Sequence, residues 1–323
     1  MLRYVGLDVG GTTMKAAVVD DEGHAGPAVS MPTESFKGAE TGLETMCETI
    51  RRAVAASKIT MADIAAIGVA TPGTMDIKAG LILDPPNLKP WRDVPVRQHI
   101  ADVFKLPTAF QNDANAAALG EFWVGAGREA HSMVLFTLGT GVGGGIIIGD
   151  MVLEGEHSHG GELGHTRIEW KNGRLCGCGQ RGCLEAYGSA TSVVKRTTEA
   201  IRAVTDPSTL HPMLNVGEHE LTARTIFEAA AAGDELAKKI VDDTAYFLAV
   251  GATNVMHTID PGMVVFGGGM AAGDGFLNAI RGYVKQIAFP VPAEKTEIRF
   301  AQLGSDAGFI GAAACGRLLL KKQ

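Results

Sequence analysis

The chain uses one small pattern twice. "RYVGLDVGGTTMKAAVVD" (3–20) and "HSMVLFTLGTGVGGGIIIGDMVL" (131–153) each read as a β-prone run, a glycine-rich tip and a second β-prone run. The unit stands at the head of each half and does not recur at a short period, so it marks an internal duplication and not a solenoid. Two related α/β halves are the expected consequence, and 323 residues suffice for two domains. "IAAIGVA" (64–70) and "LPTAFQND" (106–113) add buried strands to the first half, and Leu43, Met46, Ile50 and Val54 mark a helix over 41–57. "ANAAALGEFW" (114–123) is a strong helix former, with Asp113 in the N-cap position. The second half is helical over 222–233 and 234–259, followed by a buried strand at 263–269 and an apolar helix at 306–320. No low-complexity linker separates the halves, so pattern alone places the boundary near 118–130.

A net charge of −7 lacks the electropositive footprint of a nucleic-acid binder. No apolar run approaches the roughly 20 residues that span a bilayer, and the first residues carry no leader pattern. A cytoplasmic protein with neither nucleic acid nor membrane as partner is expected.

Glycine clusters carry the next argument. "GTGVGG" (139–144) satisfies G-x-G-x-x-G, but three β-branched residues follow where a dinucleotide fold needs a helix, so that reading is rejected. No Walker A loop occurs. Two glycine-tipped hairpins can still hold a polyphosphate through backbone N–H groups, with hydroxyls from Thr12, Thr13 and Thr140 and a cation from Lys15. Asp8 is placed to orient hydrated Mg²⁺. Asp113, at a strand-to-helix junction, is the candidate carboxylate that accepts the proton of a hydroxyl nucleophile in phosphoryl transfer, with Asn112 on the same substrate.

"CGCGQRGC" places Cys176, Cys178 and Cys183 within eight residues. In a reducing compartment such a cluster points to metal before disulfide. Tetrahedral structural Zn²⁺ wants a fourth ligand, for which His165 is near and His157 and His159 are rivals.

Together these residues resemble the ROK family (repressors, uncharacterised reading frames and sugar kinases), from "LDVGGTTMK" to "FIGAAA". The ordered set "GELGH" (161–165) and "CGCGQRGCLEAY" (176–187) is the most specific part of the likeness. The resemblance implies the actin/hexokinase-like (ribonuclease H-like) ATPase fold, two α/β domains with a mixed five-stranded sheet in each, closing over a cleft. It implies a smaller N-terminal domain over 1–120, on which the terminal helix packs, and a larger one over 121–305 containing a zinc element at 165–183. It implies ATP-dependent phosphorylation of a hexose at the 6-hydroxyl, with glucose first and N-acetylated hexosamines or fructose as alternatives. Asp113 would be the catalytic base. Asn112, Glu162, His165 and Glu185 would bind the sugar, with Gly73 approaching through its backbone. Gly10, Gly11, Thr12, Thr13, Lys15, Gly139, Thr140 and Gly141 would face the ATP phosphates, and Gly267, Gly268 and Gly269 the nucleoside. "NLKPW" (87–91) would lie on the cleft lip. His165 would join Cys176, Cys178 and Cys183 on zinc while touching the sugar, so that the metal holds Glu162, His165 and Glu185 in register. A homodimer or homotetramer is implied. His157 and His159 stand where family members often carry small residues, a difference that bears on sugar choice. Family repressors add an N-terminal helix-turn-helix; the phosphate hairpin here begins at residue 3, which argues against that class. A zinc-stabilised sugar-binding protein without catalysis is disfavoured by the presence of Asp8, Lys15 and Asp113.

Overall fold

The computed structural model describes residues 1–203, 208–215, 221–270 and 273–321. In chain order the strands are β1 (Arg3–Val9), β2 (Thr13–Asp20), β3 (Val29–Pro32), β4 (Ala66–Thr71), the short ribbon β5 (Met75–Asp76) and β6 (Leu81–Ile82), and β7 (Thr108–Asn112). Then come β8 (Ser132–Leu138), β9 (Val142–Ile148), β10 (Met151–Val152), β11 (Met263–Gly267) and β12 (Glu297–Phe300). Two five-stranded sheets result, ordered β3-β2-β1-β4-β7 and β10-β9-β8-β11-β12. Counting strands within each sheet, both run third, second, first, fourth, fifth, so the duplicated hairpin heads two copies of one topology. Both sheets are mixed. In the first, β1 is antiparallel to β2 and parallel to β4, which is parallel to β7. In the second, β9 and β10 are antiparallel and β11 and β12 parallel.

Chain contacts divide the molecule into two compact units. One comprises Met1–Leu135, Gly145–Gly161 and Gln302–Gln323, the other Phe136–Gly144 and Glu162–Ala301.

In the first unit, alternation along β1 decides what packs where. Val5, Leu7 and Val9 join Met14, Ala16, Met46, Ile50 and Trp91 in one core, which takes the predicted face of helix Ala39–Ala56. Tyr4 turns the other way, onto Phe309, Ile310 and Ala313 of the terminal helix Ala307–Lys321. That helix lies directly on the sheet: a Cβ at Gly6 would stand 1.8 Å from the Phe309 carbonyl oxygen. Its glycine and alanine content is the condition for this close approach.

In the second unit the stacked rings of Phe136 and Phe266, 5.3 Å apart, join β8 to β11. The expected break before residue 235 is a helix start. Asp234 caps helix Glu235–Ile259 by accepting the Ala237 N–H at 3.0 Å. Among the described residues no helix is long and apolar enough to cross a membrane.

Candidate active site

In the first unit the parallel register sets the geometry. Asp8 pairs with Ala70, Ala70 with Gln111 and Thr71 with Asn112. Asp8, the turn after β4 that holds Gly73, and Asn112–Asp113 therefore gather at the same end of three parallel strands, where open α/β sheets bind ligands.

Asn112 caps helix Asp113–Val124, its Oδ1 accepting N–H groups from Ala114 at 2.9 Å and Asn115 at 3.2 Å. This corrects the expected cap by one residue. Asp113 is the first helical residue, half-buried, with Oδ1 accepting the Ala114 N–H at 2.8 Å. Asn112 spends its oxygen on the cap and shares the Ala114 N–H with Asp113. Gly73 has φ +91°, and a Cβ there would lie 2.6 Å from Pro85, so only glycine fits the turn.

Asp8 lies against the first turn of the terminal helix, where a Cβ at Gly308 would stand 2.2 Å from Oδ2. Burial pushes its pKa up to about 6, with Lys15 pulling the other way. Lys15, its cross-strand neighbour, gives its Nζ to Asp306 Oδ1 at 2.6 Å and lies over the Phe309 ring. A phosphate at Lys15 would have to compete with that pair. The tip at Gly10, Gly11 and Thr12 is closed by a bond from the Gly10 N–H to the oxygen of Thr13, the first residue of β2, and by the Thr33 hydroxyl on the Gly10 carbonyl; Thr12 and Thr13 are exposed.

In the second unit, two glycine loops come together. Gly268 has φ +94°, and a Cβ there would meet the Leu138 carbonyl oxygen at 2.4 Å. The Met270 N–H donates to that same oxygen. Gly267, Gly268 and Gly269 thus run beside the tip Gly139, Thr140 and Gly141, whose Gly139 and Thr140 are exposed.

"GELGH" forms a 3-10 turn, Leu163–His165, behind an exposed Glu162 whose carbonyl accepts the His165 N–H. The Leu184 N–H bonds the Thr166 oxygen and Arg167 bridges to Cys183, so a short ribbon ties "GELGH" to "CLEAY". Glu185 opens helix Glu185–Gly188 and accepts the Val142 N–H at 3.1 Å. A Cβ at Gly141 would lie 2.4 Å from its Oε2. Glu185 also accepts the Cys176 thiol at 3.3 Å.

His165, Cys176, Cys178 and Cys183 bring their ligand atoms within 4.8 Å of one another. Cys176 Sγ is 3.8 Å from His165 Nδ1, and the Cys178 and Cys183 sulfurs are 3.8 Å apart. Two sulfurs each about 2.3 Å from a tetrahedral zinc stand about 3.8 Å apart, so the donor set and its spacing suit that ion. A disulfide needs a separation of about 2 Å, and all three cysteines are free thiols. Burial pushes the Cys176 and Cys183 thiols up, whereas a backbone N–H from Gln180 lowers that of Cys178. Metal binding at such a set releases the thiol protons. His157 and His159 are not in the cluster; His159 Nδ1 lies at 2.5 Å from the His157 carbonyl oxygen.

Three residues outside the expected set belong to this framework: Asp306 on Lys15, and the pair Gln111 and Glu154 behind Asn112. Gln111 adjoins the motif in sequence, but Glu154 lies 43 positions away and carries no local signal.

The sequence profile of the ROK family matches residues 4–317. A glucokinase of Halalkalibacterium halodurans is 38% identical over 322 residues, which span 99% of this chain and 95% of that protein. Among solved structures, the ROK hexokinase from Thermus thermophilus is similar with a TM-score of 0.85 and 33% identity over all of both chains. A ROK family glucokinase from Streptomyces griseus in complex with glucose and AMPPNP matches with a TM-score of 0.79 and 33% identity, covering 98% of this chain and 99% of that one.

Proposed function

The chain belongs to the ROK family, and from that premise we propose that it is an ATP-dependent hexose kinase that converts glucose to glucose 6-phosphate. One observation carries the site assignment. The register of β1, β4 and β7 gathers Asp8, the Gly73 turn and Asn112–Asp113 at one end of the sheet.

In the reaction, the Asp113 carboxylate takes the 6-hydroxyl proton as that oxygen attacks the γ-phosphorus. The bond to the β–γ bridging oxygen breaks, ADP departs, and the proton on Asp113 passes to solvent. Asn112 donates from its amide to a neighbouring hydroxyl. Glu162, His165 and Glu185 bind the remaining hydroxyls, and Gly73 offers its backbone. Gly10, Gly11, Thr12, Thr13 and Lys15, with Gly139, Thr140 and Gly141, cradle the phosphates, and Gly267, Gly268 and Gly269 lie along the nucleoside. Asp8 is the carboxylate that would hold Mg²⁺, which supplies charge neutralisation on the phosphates. His165, Cys176, Cys178 and Cys183 would hold a structural Zn²⁺, which closes the ribbon between "GELGH" and "CLEAY" and offers no open position for chemistry. The enzyme is proposed to act in the cytoplasm as a homodimer or homotetramer, which light scattering measures.

A coupled ADP-release assay over glucose, mannose, fructose and their N-acetyl relatives tests the reading. Glucose-dependent release with the highest kcat/KM of the panel is expected. A higher value for an N-acetyl sugar replaces glucose as substrate, and no hexose-dependent release overturns the kinase.

A further inference from the structure

Behind Asp113 lies a half-buried bracket of hydrogen bonds that the reaction above does not use. Gln111, 3% exposed, is the residue before the Asn112–Asp113 pair. Its Oε1 accepts the Asn112 backbone N–H at 2.8 Å and the Asn115 Nδ2 at 3.2 Å. Its Nε2 donates to Glu154 Oε1 at 2.8 Å. We propose that Glu154, acting through Gln111, is a positioning residue for Asp113; this rests on the reading of Asp113 as the base.

The chemistry of the two side chains gives the reason. An amide can present either end to a partner, whereas a carboxylate only accepts. Glu154 therefore fixes the Gln111 amide with nitrogen towards itself and oxygen towards the Asn112 N–H. That bond sets the peptide on which both the helix cap and the first helical residue depend. Reversing the amide would point an NH₂ group at the Asn112 N–H and leave that half-buried donor unpaired.

Glu154 is itself well held. Its N–H donates to the Val152 oxygen at 3.0 Å and its carbonyl accepts the Gly160 N–H at 2.7 Å. The segment it opens is pinned by Ser158 Oγ, which accepts the Ile77 N–H at 2.9 Å, and by the Lys78–Glu156 ion pair. Arg97, a charged neighbour around the same 350 Å³ cavity, is committed to the Ile77 and Lys78 carbonyls. Among the described residues Glu154 forms no ion pair, so Gln111 is the group it orients.

The test uses the full-length enzyme and four variants, Glu154→Ala, Gln111→Glu, the exchange Gln111→Glu/Glu154→Gln, and Asp113→Asn. Because a misplacement of about 1 Å can cost about 100-fold in rate, Glu154→Ala is expected to lower kcat about 10-fold with glucose KM within about twofold of wild type. Gln111→Glu sets two carboxylates face to face and should lower kcat about 30-fold or more. The exchange restores every bond, since the carboxylate now at position 111 accepts from Asn112, from Asn115 and from the amide now at position 154, and should bring kcat back to within about threefold. A merely structural role would move Tm and leave the kcat of the folded variants unchanged, which overturns the proposal. Should Glu154→Ala fail to fold, Gln111→Glu and the exchange, which keep side-chain size, decide alone. An inactive Asp113→Asn beside fully active Glu154 and Gln111 variants overturns the positioning role and leaves the base in place. An active Asp113→Asn overturns the base, and the proposal with it.

Discussion

The two copies of the strand–tip–strand unit share a backbone plan and little else. Each tip has three residues, Gly10–Thr12 and Gly139–Gly141, between strands that end and resume at matching places. Counted from those ends, Asp8 and Lys15 of the first copy correspond to Thr137 and Gly144 of the second. The first copy is charged and must be managed: Lys15 is paired with Asp306, and Asp8 sits against the helix that covers the sheet. The second is bare. Its Gly139 N–H is spent on the Gly141 carbonyl, and the missing side chain at Gly141 lets Glu185 reach the Val142 N–H. One topology thus occurs twice, once with charged side chains of its own beside the tip and once with a tip whose own residues carry none.

That contrast is tested most severely at Asp113. Replacing it with Asn is expected to lower kcat about 1,000-fold while glucose affinity, read by fluorescence titration, changes by less than about threefold. More than a tenth of wild-type turnover would move the chemistry away from Asp113 and the sheet end it shares with Asp8 of the charged copy.

Next in size is the metal. Metal analysis should find one zinc per chain, and Cys183→Ser should lose it together with about 3 kcal/mol, a Tm drop of roughly 6–12 °C. Hydrogen exchange should rise over 162–188 and stay unchanged in the core of the charged copy. Loss of protection spread over both units would contradict the division.

Asp8 gives a pH-dependent prediction. Its folded pKa of about 6 stands above the ordinary 3.8. Its contribution to folding is therefore complete below about pH 3.8 and is lost as pH rises through about 6. At pH 7 the buried carboxylate is ionised, so Asp8→Asn should stabilise the ligand-free protein by about 3 kcal/mol at pH 7 and by less than about 1 kcal/mol at pH 4. Equal effects at both pH values, in chemical denaturation, would place the cost elsewhere. The same variant should lose ATP turnover.

The smallest effect separates the bare tip's two glycines. A Cβ at Gly139 meets nothing within 4 Å, so Gly139→Ala should leave Tm within about 1 °C and raise the KM for ATP about fivefold. Gly141→Ala must displace Glu185 and should change the ligand-free protein as well. If the two behave alike, the loop does not face the phosphates.

Much of this was legible in the chain. Runs of β-prone, mostly apolar residues marked β1 and β4, because a strand with both faces buried has no polar face to alternate with. The spacing of Leu43, Met46, Ile50 and Val54 fixed the helix whose face they line, and all four are buried. The cluster of the cysteine trio with His165 was legible because its members lie close in sequence, so local chain geometry already restricts where they can meet. The cap was off by one residue, since Asn and Asp are nearly equal as N-caps and only the placed backbone decides between them. The pairs Lys15–Asp306 and Gln111–Glu154 were not legible at all. Their members are 291 and 43 residues apart, and no periodicity or motif records a contact across that distance. Sequence by itself determined the duplicated topology and the family, because those follow from local pattern and residue type. Only the tertiary structure decided which partner each charged or amide group received, because that depends on where sheets and helices bring distant backbone together.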